Sequence, residues 1–359
     1  MTLYLHVGAH KTGTTTIQQF STAQRQLLLT KGLYYPDVTE IGRPPASSHH
    51  AFAHAIAGQA VKPPFTPDQL DAFVDLCARH ARERDVLVSA EAMFRHRIGE
   101  GGFGDGHRRY IERLAERLKP VGEIVPVVCL RRQDTFAASM MQEQIKTTIM
   151  TRSLAEFAAD NAEFMDFAKH VQLYESVFGS AKVLIFEHLV EGDGLLPNFF
   201  RALGVELSLE EAAFKATNPS LHPAVVLYKL RLNERGAVPR GLRQRVLFQV
   251  SDELFGGEKR SLFAGRELDE VFASYELSNE LLARHLNLPP GAPLFPERGP
   301  LPPLYQTLAD DDFHRIDARV GELLAERKAN RLRNRPSKAP RKTRWQRLLI
   351  RIGLGGGTR

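Results

Sequence analysis

The chain has 359 residues, 43% hydrophobic and 25% charged, the balance of a globular protein with enough apolar side chains for a full core. Its net charge of +6 belongs to one end: residues 327–359 carry 12 Lys/Arg and no acid, leaving 36 Lys/Arg against 42 Asp/Glu in residues 1–326, a net of −6. A nucleic-acid-binding body carries its own basic face, so an acidic body argues against nucleic acid as a partner. Two cysteines in apolar stretches, Cys77 and Cys129, make no disulfide framework or metal spacing. With no basic-then-apolar leader and no run of ~18 apolar residues, a soluble cytoplasmic protein is the expectation.

Four short Val/Ile/Leu-rich runs read as buried parallel strands: "LYLHV" at 3–7, "DVLVS" at 85–89, "IVPVVCL" at 124–130 and "KVLIF" at 182–186. Pro126 inside the third predicts an edge position or a bulge near its start. Helical periodicity covers about 14–30, 67–84, 108–119, 134–146 and 162–178. Such alternation predicts a three-layer α/β fold, a parallel sheet flanked by helices with ligands at the carboxyl ends of the strands. Beyond about residue 203 the pattern is mostly helical, through "AVVLYKLRLN" and "ELSNELLARHL". A proline-rich connection at 289–303 precedes a helix capped near Asp310–Asp312, with Phe313, Ile316, Val320 and Leu323 on one stripe.

The first strand runs into "HVGAHKTGTTT" at 6–16. Gly8 and Gly13 have the spacing of a phosphate-binding loop, but Thr14 stands where a Walker A lysine belongs and Lys11 lies inside the loop. A strand, a Gly/Thr-rich turn and a helix start gather backbone N–H groups and a positive helix end around an anion. Thr12, Gly13, Thr14, Thr15 and Thr16 add hydroxyls and backbone freedom, and Lys11 adds a cation. The third strand ends in Arg131-Arg132 rather than in a magnesium-binding acid. Guanidinium groups there suit a second fixed anion, with Ser139 eight residues beyond Arg131 able to join it. The ligand expected from two such sites has two separate phosphate-like ends.

"HVGAHKTGTT" followed by "VVCLRRQDTFAASMMQEQIK" resembles the sulfotransferases that use 3′-phosphoadenosine 5′-phosphosulfate (PAPS), particularly their bacterial branch, over roughly residues 1–290. Weaker echoes are "KGLYYP", "NFFRALGV", "NPSLHP" and "SNELLARHL". The resemblance implies a P-loop-like fold and PAPS as sulfuryl donor, with no metal required. Lys11, Gly13, Thr14, Thr15 and Thr16 would hold the 5′-phosphosulfate, and Arg131 and Ser139 the 3′-phosphate. The basic loop that some members carry near the C-terminus is matched only by Lys259 and Arg260 in "GGEKRS". On this reading residues 1–310 form the sulfotransferase-like α/β domain, with a sheet core to about 205 and a helical part over 206–310. A helix follows at 311–329, then a basic, disordered tail at 330–359.

Transfer to a hydroxyl or amine needs a base near the acceptor. Glu91, at the carboxyl end of the second expected strand, is the first candidate, alternatively paired to Lys11 or capping a helix. His50 in "SSHHAFAHAIAG" is the second; with His54 it lacks a third metal ligand. Ser89 and Arg95 are candidates for positioning, and Lys146 for a structural helix-end cation. Five glycines over 99–106 allow a mobile lid or an inert insertion. The acceptor classes open to such an enzyme are glycans, lipids and small metabolites. In the tail, Trp345, Leu348, Leu349 and Ile352 share one helical face flanked by Arg344, Arg347 and Arg351, which fits either a disordered tail or a helix docked on an anionic membrane surface. A metal-dependent P-loop kinase and a non-catalytic nucleotide-fold binding module are the other readings.

Overall fold

A computed structural model describes residues 1–100, 102–214 and 220–333. Its centre is a five-stranded parallel sheet of β1 (Leu3–His6), β2 (Leu33–Tyr34), β3 (Asp85–Ser89), β4 (Ile124–Leu130) and β5 (Lys182–Ile185), in the order β2-β3-β1-β4-β5. Four strands coincide with the four apolar runs. The fifth, β2, is two residues long and pairs Leu33 with Asp85 and Tyr34 with Val86. So short a strand has no periodicity to read.

The helices are α1 (Thr14–Ala23), α2 (Arg25–Thr30), α3 (His50–Ile56), α4 (Pro67–His80), α5 (Phe103–Leu118), α6 (Gln133–Thr147), α7 (Leu154–Asp160), α8 (Ala162–Met165), α9 (Phe167–Phe178), α10 (Phe186–Leu189), α11 (Leu195–Ala202), α12 (Pro223–Glu234), α13 (Gln244–Phe255), α14 (Gly265–Ala273), α15 (Glu276–His285) and α16 (Asp310–Arg333). Ile17 and Phe20 of α1 pack with Phe199 and Phe200 of α11 on the sheet face that presents Leu87, Val127 and Cys129. Phe136 and Ala137 of α6 join the opposite face, with Leu3, Leu5, Val88 and Leu130. The chain therefore leaves β1 toward one face and the neighbouring β4 toward the other. Their two following loops diverge and open a crevice at the carboxyl ends of adjacent strands, which is the topological switch point of an open α/β sheet.

Pro126 is neither at an edge nor in a bulge, because β4 lies inside the sheet between β1 and β5. The N–H groups of Leu3, Val7 and Ala9 reach the carbonyls of Glu123, Val127 and Cys129, so the odd-numbered peptide groups of β4 serve β1 and the even ones face β5. The β5 ladder begins only at Val127, so nothing on that side asks Pro126 for a donor.

Part of the glycine segment is helical. α5 starts at Phe103, taking Gly104 and Gly106 into the helix. Arg109 ties the preceding turn through the carbonyls of Ile98 and Glu100, at 2.8 and 2.6 Å. Phe103 stacks on His107 and meets Phe164 edge-on. Farther along, Ile316, Val320 and Leu323 of α16 are buried in the same apolar cluster as the sheet, and Tyr228 of α12 donates to Asp317 at 2.7 Å. The tail segment with Trp345, Leu348, Leu349 and Ile352 lies outside the described residues.

Candidate active site

The loop after β1 continues the β4 ladder before it turns, Val7 N–H donating to Val127 O at 3.0 Å and Ala9 N–H to Cys129 O at 2.8 Å. Gly8 lies so close to β4 that an added Cβ would stand 2.7 Å from the Cβ of Cys129. The chain then reverses through two left-handed residues, Lys11 at φ 69° and Gly13 at φ 74°. A lysine in that region costs about 1–2 kcal/mol. The turn is held open from inside by the buried Thr12, whose hydroxyl donates to Ala9 O at 2.6 Å. Gly13 caps α1 without any side-chain hydrogen bond, and a Cβ there would meet Leu195 at 2.4 Å. The first bond of α1 runs from Ile17 N–H to Gly13 O, which leaves the N–H groups of Thr14, Thr15 and Thr16 without helical partners. Gly13, Thr14 and Thr15 line a cavity of about 610 Å³. Unpaired N–H groups at a helix start beside a cavity suit an anion.

Arg131, at the end of β4, reaches across the crevice: its guanidinium donates to Lys11 O at 2.9 Å and, through Nε, to Thr135 Oγ1 at 3.0 Å. Ser139 follows Thr135 by one turn on the same side of α6 and is half-buried. Arg132 turns away. It lies over Phe272, with its guanidinium carbon 3.8 Å from the ring centre, pairs with the buried Asp134 and donates to Pro296 O at 2.7 Å. The two arginines thus divide into one that faces the loop and one that fastens the C-terminal half to the sheet. Glu187 of α10 sits behind them, accepting from Arg132 N–H at 3.1 Å, and burial pushes its carboxyl up.

The far wall of the cavity is α6, through Met140, Glu143, Gln144 and Thr147. Glu143 receives Lys11 Nζ at 3.0 Å and Lys146 Nζ at 2.8 Å on the same oxygen, and Gln244 of α13 on the other. Burial alone would raise its carboxyl, but Lys146 and Lys11 outweigh that and hold it at about 2. Lys11 is therefore parked on a carboxylate across the cavity, and it pairs with Glu143, not with Glu91.

Glu91 follows β3 and forms the third wall with Arg95. Its Oε2 is bonded to His50 Nε2 at 2.6 Å and receives Gln18 Nε2 at 2.9 Å. Burial pushes this carboxyl up, yet the hydrogen bond and charge of His50, then the charge of His10, hold it at about 2. His10 brings its Nδ1 to 4.0 Å from Oε1 of Glu91. Burial drives the His10 imidazole down to about 4, against the pull of Glu91, so the ring is neutral at pH 7. His49 places His50: its N–H donates to Ser89 O at 2.9 Å and its Nδ1 accepts Ser89 N–H at 3.0 Å, clamping the start of α3 to the end of β3. The Ser89 hydroxyl is taken by His6 Nδ1 and Gln18. His54 lies with its ring edge-on to His96 at 4.8 Å and 6.2 Å from the ring of His50.

Lys11, Thr14, Thr15 and Glu91 thus line one cavity, with Arg131 bonded to Lys11 and His50 to Glu91. Lys259 and Arg260 line a different cavity of about 710 Å³ with His222, and Arg260 is paired with Glu258. His10 and Glu143 escaped the sequence reading. Glu143 had a legible signal, since it lies two turns beyond Thr135 and one beyond Ser139 on the helix face that starts at Arg131.

No family model matches this chain, and no curated protein matches it. Among solved structures it is similar to a sulfotransferase from Alicyclobacillus acidocaldarius, at 16% identity and a TM-score of 0.43 over 80% of this chain and 96% of that one. A superposition that loose says nothing about the chemistry of either site.

Proposed function

We propose that this protein is a sulfotransferase that moves a sulfuryl group from PAPS to a hydroxyl or amine acceptor. The observation that carries the reading is the meeting of two anion-binding elements at Lys11. Unpaired N–H groups at the start of α1 lie on one side of it, and Arg131 grips its carbonyl on the other. A ligand with one anionic group at the loop and a second toward Arg131 and Ser139 fits this cradle, in which Gly8 and Gly13 leave room for nothing larger than hydrogen. As donor substrate, PAPS supplies the activated sulfuryl group and leaves as the 3′,5′-bisphosphate.

The chain's part is electrostatic. As the sulfuryl group departs, negative charge grows on the 5′-phosphate oxygen. Lys11, released from Glu143, and the N–H groups of Thr14, Thr15 and Thr16 stabilise it, at about 3–4 kcal/mol for a well-placed donor. The carboxylate–histidine cluster of Glu91, His50 and His10 is the basic group that takes up the acceptor's proton. Among the described residues no helix is long and apolar enough to cross a membrane. The test is product analysis with the purified full chain in EDTA. Release of 3′,5′-bisphosphate from PAPS supports the reading. Release of ADP from ATP that depends on Mg²⁺, with PAPS untouched, would replace it with a kinase.

A further inference from the structure

Three groups beside the cavity could receive the acceptor's proton, and the contacts separate them. Glu91 is already committed: one oxygen is filled by His50 and Gln18, and the other faces His10. His50 spends its Nε2 on Glu91, and its ring is not among the cavity walls. His10 does form part of the wall, on the residue before Lys11. Its Nε2 is buried with no partner, which leaves Nδ1 as the nitrogen turned toward Glu91. The charged and titratable groups facing the ring are Glu91, Arg95, His50 and Lys11, of which the carboxylate alone favours a proton on it.

We propose that His10 is the proton acceptor of the transfer, with Glu91 as the anion that stabilises the imidazolium it becomes. This rests on the sulfotransferase reading. The acceptor oxygen bonds to sulfur as the bond from sulfur to the 5′-phosphate oxygen breaks. The bonding pair leaves with that phosphate, and the acceptor's proton moves to Nδ1 of His10, where it stands beside Glu91. Lys11 and His10, successive residues of one loop, then handle the leaving charge and the incoming proton. Glu91, anchored by His50 and Gln18, is a positioning residue.

The experiment uses the full chain in four forms, wild type, His10→Gln, His10→Ala and Glu91→Gln, each saturated with 3′,5′-adenosine bisphosphate for NMR. Histidine NMR at pH 7 assigns the His10 ring by its loss in His10→Gln. The proposal expects a ring neutral at pH 7 with its proton on Nε2 and Nδ1 free, read from the nitrogen shifts, and slower PAPS cleavage in Glu91→Gln. It also expects His10→Gln to bind the bisphosphate within about threefold of wild type yet cleave PAPS about 10²-fold more slowly or worse, and added imidazole to restore part of the rate in His10→Ala. A ring protonated at pH 7, a neutral ring whose proton rests on Nδ1, or wild-type cleavage by His10→Gln overturns the role of His10. Failure of the wild type to bind bisphosphate would overturn the sulfotransferase reading instead.

Discussion

Acid should unfold this protein well before its carboxylates titrate. His6, His49, His96 and His107 are buried, and burial lowers their imidazoles to about 4, 4, 3 and 4. His6, His96 and His107 each keep a buried Nε2 without a partner, and burial also lowers His170, packed on Phe94 at 4.2 Å. An unfolded chain protonates such rings near pH 6.5, whereas the folded chain must hold them neutral. The unfolded state thus binds more protons, and stability falls as pH drops from about 6.5 toward the folded values. At pH 5 a ring moved from 6.5 to 4 accounts for about 2 kcal/mol, so four such rings amount to about 8 kcal/mol, comparable with the whole stability of a typical domain. Glu91 and Glu143 act in a separate window, since a carboxyl held near 2 loses its contribution only below about pH 4.5. Urea melts followed by circular dichroism at pH 8, 7, 6 and 5 should show equal midpoints at the first two and a steep fall through the last two. A midpoint unchanged between pH 7 and 5 would refute the reasoning.

Four further outcomes follow from the site and the tail. Glu143→Gln frees Lys11 and removes a negative charge from the cavity, so bisphosphate should bind about 3- to 10-fold more tightly by calorimetry; weaker binding would mean that Glu143 supports the ligand. Arg131→Ala should weaken the same binding by about 1.5–3 kcal/mol, and Lys11→Ala should lower turnover more than affinity, because its strongest contact forms as charge develops. Wild-type affinity in Arg131→Ala would remove it from the ligand. The basic segment at 327–359 should carry the full chain down with anionic liposomes at low salt, unlike a truncation after Glu326; equal sedimentation of both would exclude membrane docking.

The sheet was legible because each of its longer strands is a Val/Ile/Leu run between turn residues, and β2 was not because two residues make no pattern. Pro126 misled because the rule for proline concerns a donor facing a neighbouring strand, and only the stagger of β5 shows that none is there. The strand, turn and helix around Lys11 were readable, since their residues are contiguous. Arg131 and Arg132 could not be told apart locally: what turns Arg132 away are Phe272 and Pro296, supplied from far along the chain. His10 stood beside the lysine in plain view, but its meaning depends on Glu91, brought to it only by the pairing of β1 with β3.

The central claim is that side chains and backbone amides at the ends of β1 and β4 hold both anionic ends of a 3′,5′-bisphosphate nucleotide. Calorimetric titration of the full chain with 3′,5′-adenosine bisphosphate and with ATP, each in EDTA and in Mg²⁺, tests it most directly. The account expects the bisphosphate to bind equally well in both buffers and more tightly than ATP in either. ATP binding that requires Mg²⁺, with no heat from the bisphosphate, would contradict it.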